Sequence, residues 1–177
     1  MLDQYWLNIC NSVASNSKCL SRKVGAIIVK DNKFIISTGY SGPPSKCPHC
    51  DDLQYREYLF DLWWRDSKSN HLPSDMDSRK CPRQLLGYKS GEGLQYCGSA
   101  HAERNCIDIA ARLGHVTENC AIYINTNKMP CFECCKSIIN AGIIEVVTPS
   151  LEDYEQRGLT GKYLLDQAGI KIRQYEI

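Results

Sequence analysis

The second half of the sequence alternates between helical and strand patterns, and this alternation restricts the fold more than any other feature. Apolar residues recur at helical spacing in 99–114, 131–142 and 161–169, and β-rich runs occupy 120–125, 143–148 and 170–175. Each helical segment ends at a glycine, Ser99 is a candidate N-cap, and Pro130 opens the second helix. Strands that are joined by helices pair in parallel, so this half predicts a parallel sheet.

The first half adds a helix and a hairpin. Residues 4–17 place apolar side chains on one helical face, and the β-rich runs 24–30 and 34–39 are separated only by Asp-Asn-Lys. The elements together predict an α/β fold with three α/β/α layers, in which a five-stranded mixed sheet lies between helices on both faces.

Residues 41–98 differ in composition from the rest of the chain. They are rich in Gly, Pro, Ser, Asp and Cys, and only 53–66 has a convincing helical pattern. We therefore predict a single domain over 1–177 that carries an irregular insertion at about 41–98.

Composition and charge exclude several classes of protein. Of the 177 residues 43% are hydrophobic and 23% are charged, as in ordinary globular proteins. The formal net charge is +1 without any long Lys/Arg run, which argues against a nucleic-acid polymer as partner. Because no run of 18 apolar residues and no signal-like N-terminus occurs, we expect no membrane association and a cytoplasmic location, in the host cytoplasm if the source is viral.

The cysteine pattern indicates metal binding. Eleven cysteines, an odd number without a signal peptide, are not typical of a secreted disulfide scaffold. In a reducing compartment so many thiols indicate metal ligands together with buried small side chains, and we expect more than one zinc ion. Four of them, Cys10, Cys106, Cys120 and Cys135, fit apolar faces and are predicted to lie in the core.

Four residues have the spacing of a catalytic zinc site. Cys131 and Cys134 share one face at a helix N-terminus, where the helix dipole stabilises thiolates, and His101 begins another helix. Glu103 is two residues from His101, a spacing that does not suit a second ligand on the same face. Taken alone, His-Ala-Glu is an ordinary pairing and Cys-x-x-Cys a redox pair or half of a structural site. Their joint occurrence favours zinc with an open position for water.

This pattern, His-x-Glu followed by Pro-Cys-x-x-Cys, resembles the signature of zinc-dependent nucleobase deaminases. The resemblance implies a catalytic zinc on His101, Cys131 and Cys134 that activates water for attack on C4 of a cytosine ring. It also implies Glu103 as the general base that passes the proton to N3 and then to the departing amine.

Longer segments, 17–42, 101–105, 130–143 and 168–172, resemble the deoxycytidylate deaminase family in the same order. The resemblance implies a cytidine deaminase-like fold and conversion of dCMP to dUMP, the precursor of thymidylate. It further implies a homohexamer that dCTP activates and dTTP inhibits, with Mg²⁺ accompanying the triphosphates.

The same resemblance implies roles in substrate binding. Arg22 falls where the family has an arginine for the 5′-phosphate, and Tyr154 where it has an aromatic ring over the pyrimidine. Ala102 and Asn105 belong to the implied substrate site. Three of these residues have a plainer interpretation: Arg22 as a solvated cation, Tyr154 as a loop tyrosine and Asn105 as a helix-stabilising amide.

The segment TGYSG resembles a loop that the family links to its allosteric site. The implied allosteric residues are Gly39, Tyr40, Ser41, Gly42 and Arg112, with Ser41 in place of the usual Asn. A glycine-rich turn after a strand explains the same residues without any ligand.

Some members of the family carry a second, structural zinc. By resemblance Cys19 and Cys50 match its ligands, Cys47 and Cys50 have knuckle spacing, and Cys97 is a plausible fourth ligand. Cys81 is an alternative for any one of these positions, and His49 is an alternative donor.

Other functions remain open from the sequence. Within the same chemistry, the chain could accept dCTP or free cytidine and deoxycytidine instead of, or in addition to, dCMP. From a different class, a zinc-binding interaction module would have a closed ligand set without water. Glu103 beside a three-ligand site argues against that module.

Overall fold

The computed structural model describes residues 2–67, 79–153 and 159–175, and within these ranges it contains six α-helices and five β-strands. The helices are α1 (Leu2–Ala14), α2 (Leu53–Ser67), α3 (Pro82–Leu85), α4 (Ala102–Leu113), α5 (Phe132–Asn140) and α6 (Gly161–Gln167). The strands are β1 (Gly25–Lys30), β2 (Phe34–Tyr40), β3 (Ala121–Ile124), β4 (Glu145–Thr148) and β5 (Lys171–Gln174). This is the predicted order of elements, with α3 and a 3₁₀ turn (Leu94–Tyr96) added in the insertion.

The sheet has the strand order β2-β1-β3-β4-β5. β1 is antiparallel to both β2 and β3, whereas β3, β4 and β5 run parallel to one another. The prediction of a five-stranded mixed sheet is therefore confirmed. Its parallel half follows from the helical crossovers of the second half of the chain.

Successive residues of β1 are buried on opposite faces of the sheet, as the two-residue period of a strand requires. Ala26 and Ile28 pack in a core cluster with residues of α4, α5 and α6. Ile27 and Val29 pack on the other face, in a cluster that contains Trp6 and residues of α1. The three-layer arrangement is thus confirmed.

The chain divides into two compact units. One comprises Met1–Ser17, Val24–Ser41 and His101–Ile177 and contains the sheet, and the other comprises Lys18–Lys23 and Gly42–Ala100. The second unit contains most of the predicted insertion and adds a short segment from the N-terminal part of the chain. In the part of the chain that the structure describes, no helix has the length and apolar character needed to cross a bilayer.

The start of α4 differs from the sequence prediction. Ser99 is not its N-cap, because Ala100 exchanges backbone hydrogen bonds with Gly42 and the chain stays extended through His101. His101 is the N-cap residue, and α4 begins at Ala102.

Candidate metal centre

The N-termini of α4 and α5 bring three potential ligand atoms together. His101 caps α4, Cys131 caps α5, and Cys134 lies in the first turn of α5. Nδ1 of His101 is 3.3 Å from Sγ of Cys131 and 3.4 Å from Sγ of Cys134. Ligands at about 2.0–2.3 Å from a tetrahedral zinc would lie about 3.6 Å apart, so the three atoms already have almost the spacing of ligands to one ion.

Within the described ranges, these three residues form the sole group of three or more His, Cys, Asp or Glu side chains whose ligand atoms all lie within 4.8 Å of one another. Two thiolates and a neutral imidazole would give a divalent ion a site of about zero formal charge, which a partly buried position tolerates. The donor set therefore suits zinc, which prefers nitrogen and sulfur ligands.

The two thiols and the imidazole influence one another's protonation. A hydrogen bond from the Cys134 thiol and, after it, the neighbouring His101 together lower the pKa of Cys131 to about 4, although burial opposes the shift. The same hydrogen bond, followed by burial, raises the pKa of Cys134. Hydrogen bonding to Cys131 raises the pKa of His101. The Cys131 thiolate, which is the form that binds metals, is thus favoured at this site.

Glu103 adds a buried carboxyl group beside the three ligands. It lies in the first turn of α4 and is only 4% exposed. Burial raises the pKa of its carboxyl group, while the neighbouring His101 opposes that rise. A carboxyl group shielded from water in this way can hold a proton or release it.

Packing against β2 positions the first turn of α4. A Cβ atom on Gly39 would lie 2.3 Å from the Cys106 nitrogen and 2.5 Å from the Ala102 oxygen, so only glycine permits this close approach. Nδ2 of Asn105 also donates to the Tyr40 carbonyl at 2.8 Å. Sequence reasoning missed this role of Gly39, although a glycine inside a strand pattern is a known sign of close backbone approach.

A second glycine packs against the chain just before α5. A Cβ atom on Gly161 would lie 2.7 Å from Sγ of Cys135 and 2.8 Å from the Pro130 oxygen. The first turn of α6 therefore abuts the Pro130–Cys131 peptide that carries a ligand. The sequence indicated the start of a helix at Gly161 but not this contact.

The metal centre has a counterpart among known families. The family model for the cytidine and deoxycytidylate deaminase zinc-binding region matches residues 1–150. The chain belongs to this deaminase family.

Curated members of the deaminase family are similar to nearly the whole chain. Deoxycytidylate deaminase of Enterobacteria phage T4 is 32% identical over 175 residues, which cover 94% of this chain and 86% of the phage protein. Deoxycytidylate deaminase of Schizosaccharomyces pombe is 30% identical over 173 residues, which cover 98% of this chain. The chain spans 44% of the length of that yeast protein.

Two solved structures share the fold of this chain. The dCMP deaminase of cyanophage S-TIM5, in complex with dCMP and dUMP, superimposes with a TM-score of 0.62 at 22% identity, covering 97% of this chain and 94% of the phage chain. A bifunctional deaminase/reductase of Thermotoga maritima has a TM-score of 0.56 at 18% identity, covering 98% of this chain and 36% of the other. At these low sequence identities, the structural similarity shows a shared fold and nothing further.

The predicted substrate residues lie in different surroundings. Ala102 is fully buried, and Asn105 is half-buried. Arg22 is exposed, and its Nη2 donates to Oγ of Ser90 at 2.6 Å. Tyr154 lies outside the described residues.

The predicted allosteric residues do not form one cluster of exposed side chains. Arg112 is exposed in the last turn of α4, and Tyr40 is 39% exposed. Ser41 is buried, with its hydroxyl group hydrogen-bonded inside the protein. The backbone of Gly42 pairs with that of Ala100.

Four cysteines of the second unit line one small cavity. They come from separate parts of the sequence: Cys19, Cys50, Cys81 and Cys97. The cavity measures about 30 Å³, the room of a single ion or water molecule. Cys47 is exposed and does not line it, so the structure groups Cys81, not Cys47, with the other three.

Two arginines accompany this cysteine group. The buried side chain of Arg56 donates to the carbonyl groups of Cys50 at 2.8 Å and Lys80 at 3.0 Å, and so ties two cysteine-bearing segments together. Arg83 lines the cavity, and its Nε is a buried nitrogen that no acceptor in the described part of the chain meets. Sequence reasoning missed both arginines because their sequence positions carry no motif.

Proposed function

We propose that this protein catalyses the hydrolytic deamination of dCMP to dUMP and so supplies the precursor of thymidylate. The observation that carries the proposal is the placement of the buried Glu103 carboxyl group beside the His101, Cys131 and Cys134 ligand atoms. Relatives that cover most of this chain are named deoxycytidylate deaminase, which supports dCMP as the substrate.

His101, Cys131 and Cys134 would hold the catalytic zinc. When bound, zinc supplies a Lewis acid that makes water nucleophilic near neutral pH. Glu103 accepts the proton of the attacking water and delivers it to N3 of the pyrimidine ring. Glu103 then takes the proton of the hydroxyl group that is now bonded to C4 and passes it to the amino group, so that the C4–N bond breaks, ammonia leaves and C4 keeps the carbonyl oxygen of dUMP. Burial of Glu103 keeps bulk water from competing for these protons.

Arg22 is proposed to bind the substrate phosphate. A guanidinium group presents a fork of N–H donors that matches phosphate oxygens, and the side chain of Arg22 is exposed. Ala102, Asn105 and Tyr154 remain proposed members of the substrate site.

Ammonia release tests the proposal and its alternatives. The zinc-loaded protein is incubated with dCMP, dCTP, deoxycytidine and CMP, and the ammonia formed is measured with a coupled assay. We expect dCMP to have the highest kcat/KM. A higher kcat/KM for dCTP or for deoxycytidine would mean that this compound, and not dCMP, is the substrate. If none of the four compounds released ammonia, the zinc-binding interaction module would be favoured.

Regulation and assembly belong to the same proposal. We propose a cytoplasmic homohexamer that dCTP, with Mg²⁺, activates and dTTP inhibits through Gly39, Tyr40, Ser41, Gly42 and Arg112. Sedimentation of the purified protein gives the number of subunits, and the ammonia assay with each triphosphate gives the response. A monomer, or rates that neither triphosphate changes, would refute this part alone.

A second zinc is proposed in the insertion, on Cys19, Cys50, Cys81 and Cys97. These four thiols line one cavity although they are far apart in sequence. All four lie in the described part of the chain, and no three of their sulfurs lie within 4.8 Å of one another, so an ion would have to draw them closer together. Burial raises the pKa of Cys50, and the proximity of the other three thiols adds to the rise, as expected where neighbouring sulfurs repel added charge. A zinc ion would remove this repulsion, and Arg56 and Arg83 would offset the remaining negative charge of four thiolates.

Metal analysis decides this ligand set. The wild-type protein should contain about two zinc ions per chain, and Cys81→Ser about one, because three ligands seldom retain a structural zinc. Cys47→Ser is the matched control and should keep both ions. If Cys47→Ser lost a zinc ion and Cys81→Ser kept both, the ligand set that contains Cys47 would be correct. One zinc ion per wild-type chain would show that there is no second site.

A further inference from the structure

Ser41 joins two parts of the backbone that lie far from it in sequence. It follows β2 and is only 7% exposed, and Ser17 beneath it is 1% exposed. Oγ of Ser41 lies 2.9 Å from Oγ of Ser17 and accepts a hydrogen bond from the Val24 nitrogen at 3.1 Å. The backbone contributes as well, since the Ser41 nitrogen donates to the Val24 oxygen at 2.9 Å and Ser17 Oγ donates to the Ser41 oxygen at 2.6 Å.

Ser17 and Val24 are the residues that flank the segment 18–23. Both ends of this six-residue segment are therefore fixed to one residue, and the Ser41 hydroxyl group contacts both ends. A segment whose ends are held close together has fewer conformations than one held at a single end. We refer to Ser17, Val24 and Ser41 as the serine clasp.

The segment that the clasp closes carries Arg22. Its guanidinium group is exposed and donates to Oγ of Ser90, so its direction depends on this contact and on the conformation of the backbone from which it extends. Long side chains lose conformational entropy when a ligand fixes them, and a backbone that is already ordered reduces this cost. A loosened segment would therefore present Arg22 less often in the orientation that binds an anion.

We propose that Ser41 is a positioning residue for Arg22, acting through the serine clasp to order the segment that binds the substrate phosphate. The inference rests on the proposed function, since it takes the phosphate monoester of dCMP as the ligand of Arg22. It concerns the Ser41 hydroxyl group, whose hydrogen bonds lie inside the protein.

A double-mutant cycle tests the proposal. Steady-state kinetics with dCMP are measured for the wild type, Ser41→Ala, Arg22→Ala and the double variant. Ser41→Ala should raise KM about fivefold with kcat almost unchanged, because the Val24 amide loses an acceptor while the metal centre is untouched. In the Arg22→Ala background the same substitution should have almost no further effect on KM, since Ser41 acts through Arg22.

Two further variants protect the test against a simple folding defect. Ser17→Ala removes the other hydroxyl group of the clasp and should reproduce the rise in KM, which decides the question if Ser41→Ala does not fold. Ser15→Ala is the matched control, because Ser15 is exposed and lies two residues from Ser17 outside the clasp. It should leave KM unchanged.

Hydrogen exchange gives a readout that does not depend on activity. Amides of residues 18–24 should exchange faster in Ser41→Ala than in the wild type. Additive effects in the cycle, a fall in kcat at constant KM, or an unchanged exchange rate would each overturn the role of Ser41. A wild type that releases no ammonia from dCMP would instead refute the proposed function, and the exchange rates would then decide alone whether the clasp orders the segment.

Discussion

In the proposed reaction, Glu103 has a different task from the three candidate ligands beside it. His101, Cys131 and Cys134 offer lone pairs to a metal, whereas the Glu103 carboxyl group is buried next to them without belonging to that ligand group. A variant that lacks a ligand and a variant that lacks the carboxylate should therefore lose activity for reasons that an experiment can distinguish.

Glu103→Gln keeps the size of the side chain but cannot accept a proton. We expect it to retain its zinc and to lose about 10²–10⁴-fold in kcat, the usual contribution of a general acid–base. Cys131→Ala should lose both zinc and activity, because two remaining ligands hold zinc weakly. Metal analysis beside the ammonia assay measures both quantities, and substantial turnover by Glu103→Gln would exclude the assigned proton transfer.

At the residue scale, the sequence predicted what local spacing determines. Two short motifs were enough to select His101, Glu103, Cys131 and Cys134. The structure brings His101 into contact with Cys131 and Cys134. The cavity that places Cys81 beside Cys19, Cys50 and Cys97 could not be predicted, because knuckle spacing favours Cys47 and the lining depends on how distant segments meet. The serine clasp could not be predicted either, because Ser41 lies 17 residues from Val24 and 24 residues from Ser17 in the sequence.

At the scale of elements, helix starts determine the geometry of the metal centre. The periodicity located α4 and α5 to within a few residues, but it placed the start of α4 at Ser99 instead of Ala102. The error arose because the Gly42–Ala100 pairing, which keeps the chain extended up to His101, is a tertiary contact. The extended backbone at His101 and Cys131 places both side chains before the first helical turn, where they face one another.

Gly161→Ala tests how closely α6 supports the Cys131 ligand. The added methyl group would meet Sγ of Cys135 and the Pro130 oxygen, so either α6 or the Pro130–Cys131 peptide must move. Overpacking of this kind costs about 1–3 kcal/mol, and we expect faster transfer of zinc to a chelator. Lys162→Ala, at the exposed next residue, is the control. Equal transfer rates for both variants would show that α6 does not support the ligand.

At the scale of the whole molecule, one ionic group connects the first helix to the last strand. Nη1 and Nη2 of Arg173 on β5 donate to the carboxylate of Asp3 on α1, and Nε donates to Glu145 on β4 at 2.9 Å. Asp3 is 8% exposed, so its charge depends on this partner more than on water. The carboxylate of Asp3 raises the pKa of Arg173, as expected for a stabilised cation.

Asp3→Ala should therefore lower the free energy of unfolding without changing catalysis. It leaves the guanidinium group of Arg173 with only part of its ionic partners, and breaking such a pair costs about 3–5 kcal/mol when it is fully buried. We expect about half of that here, because Arg173 remains partly in contact with water. Urea denaturation gives the free energy of unfolding, and the zinc content and the KM for dCMP should stay at wild-type values.

Lys162→Ala is again the matched control, since its exposed pair with Asp166 contributes less than about 1 kcal/mol. A change in KM without loss of stability would mean that the sheet edge influences the site. The packing does not require such a coupling, because α1 packs on the face of the sheet opposite to α4 and α5.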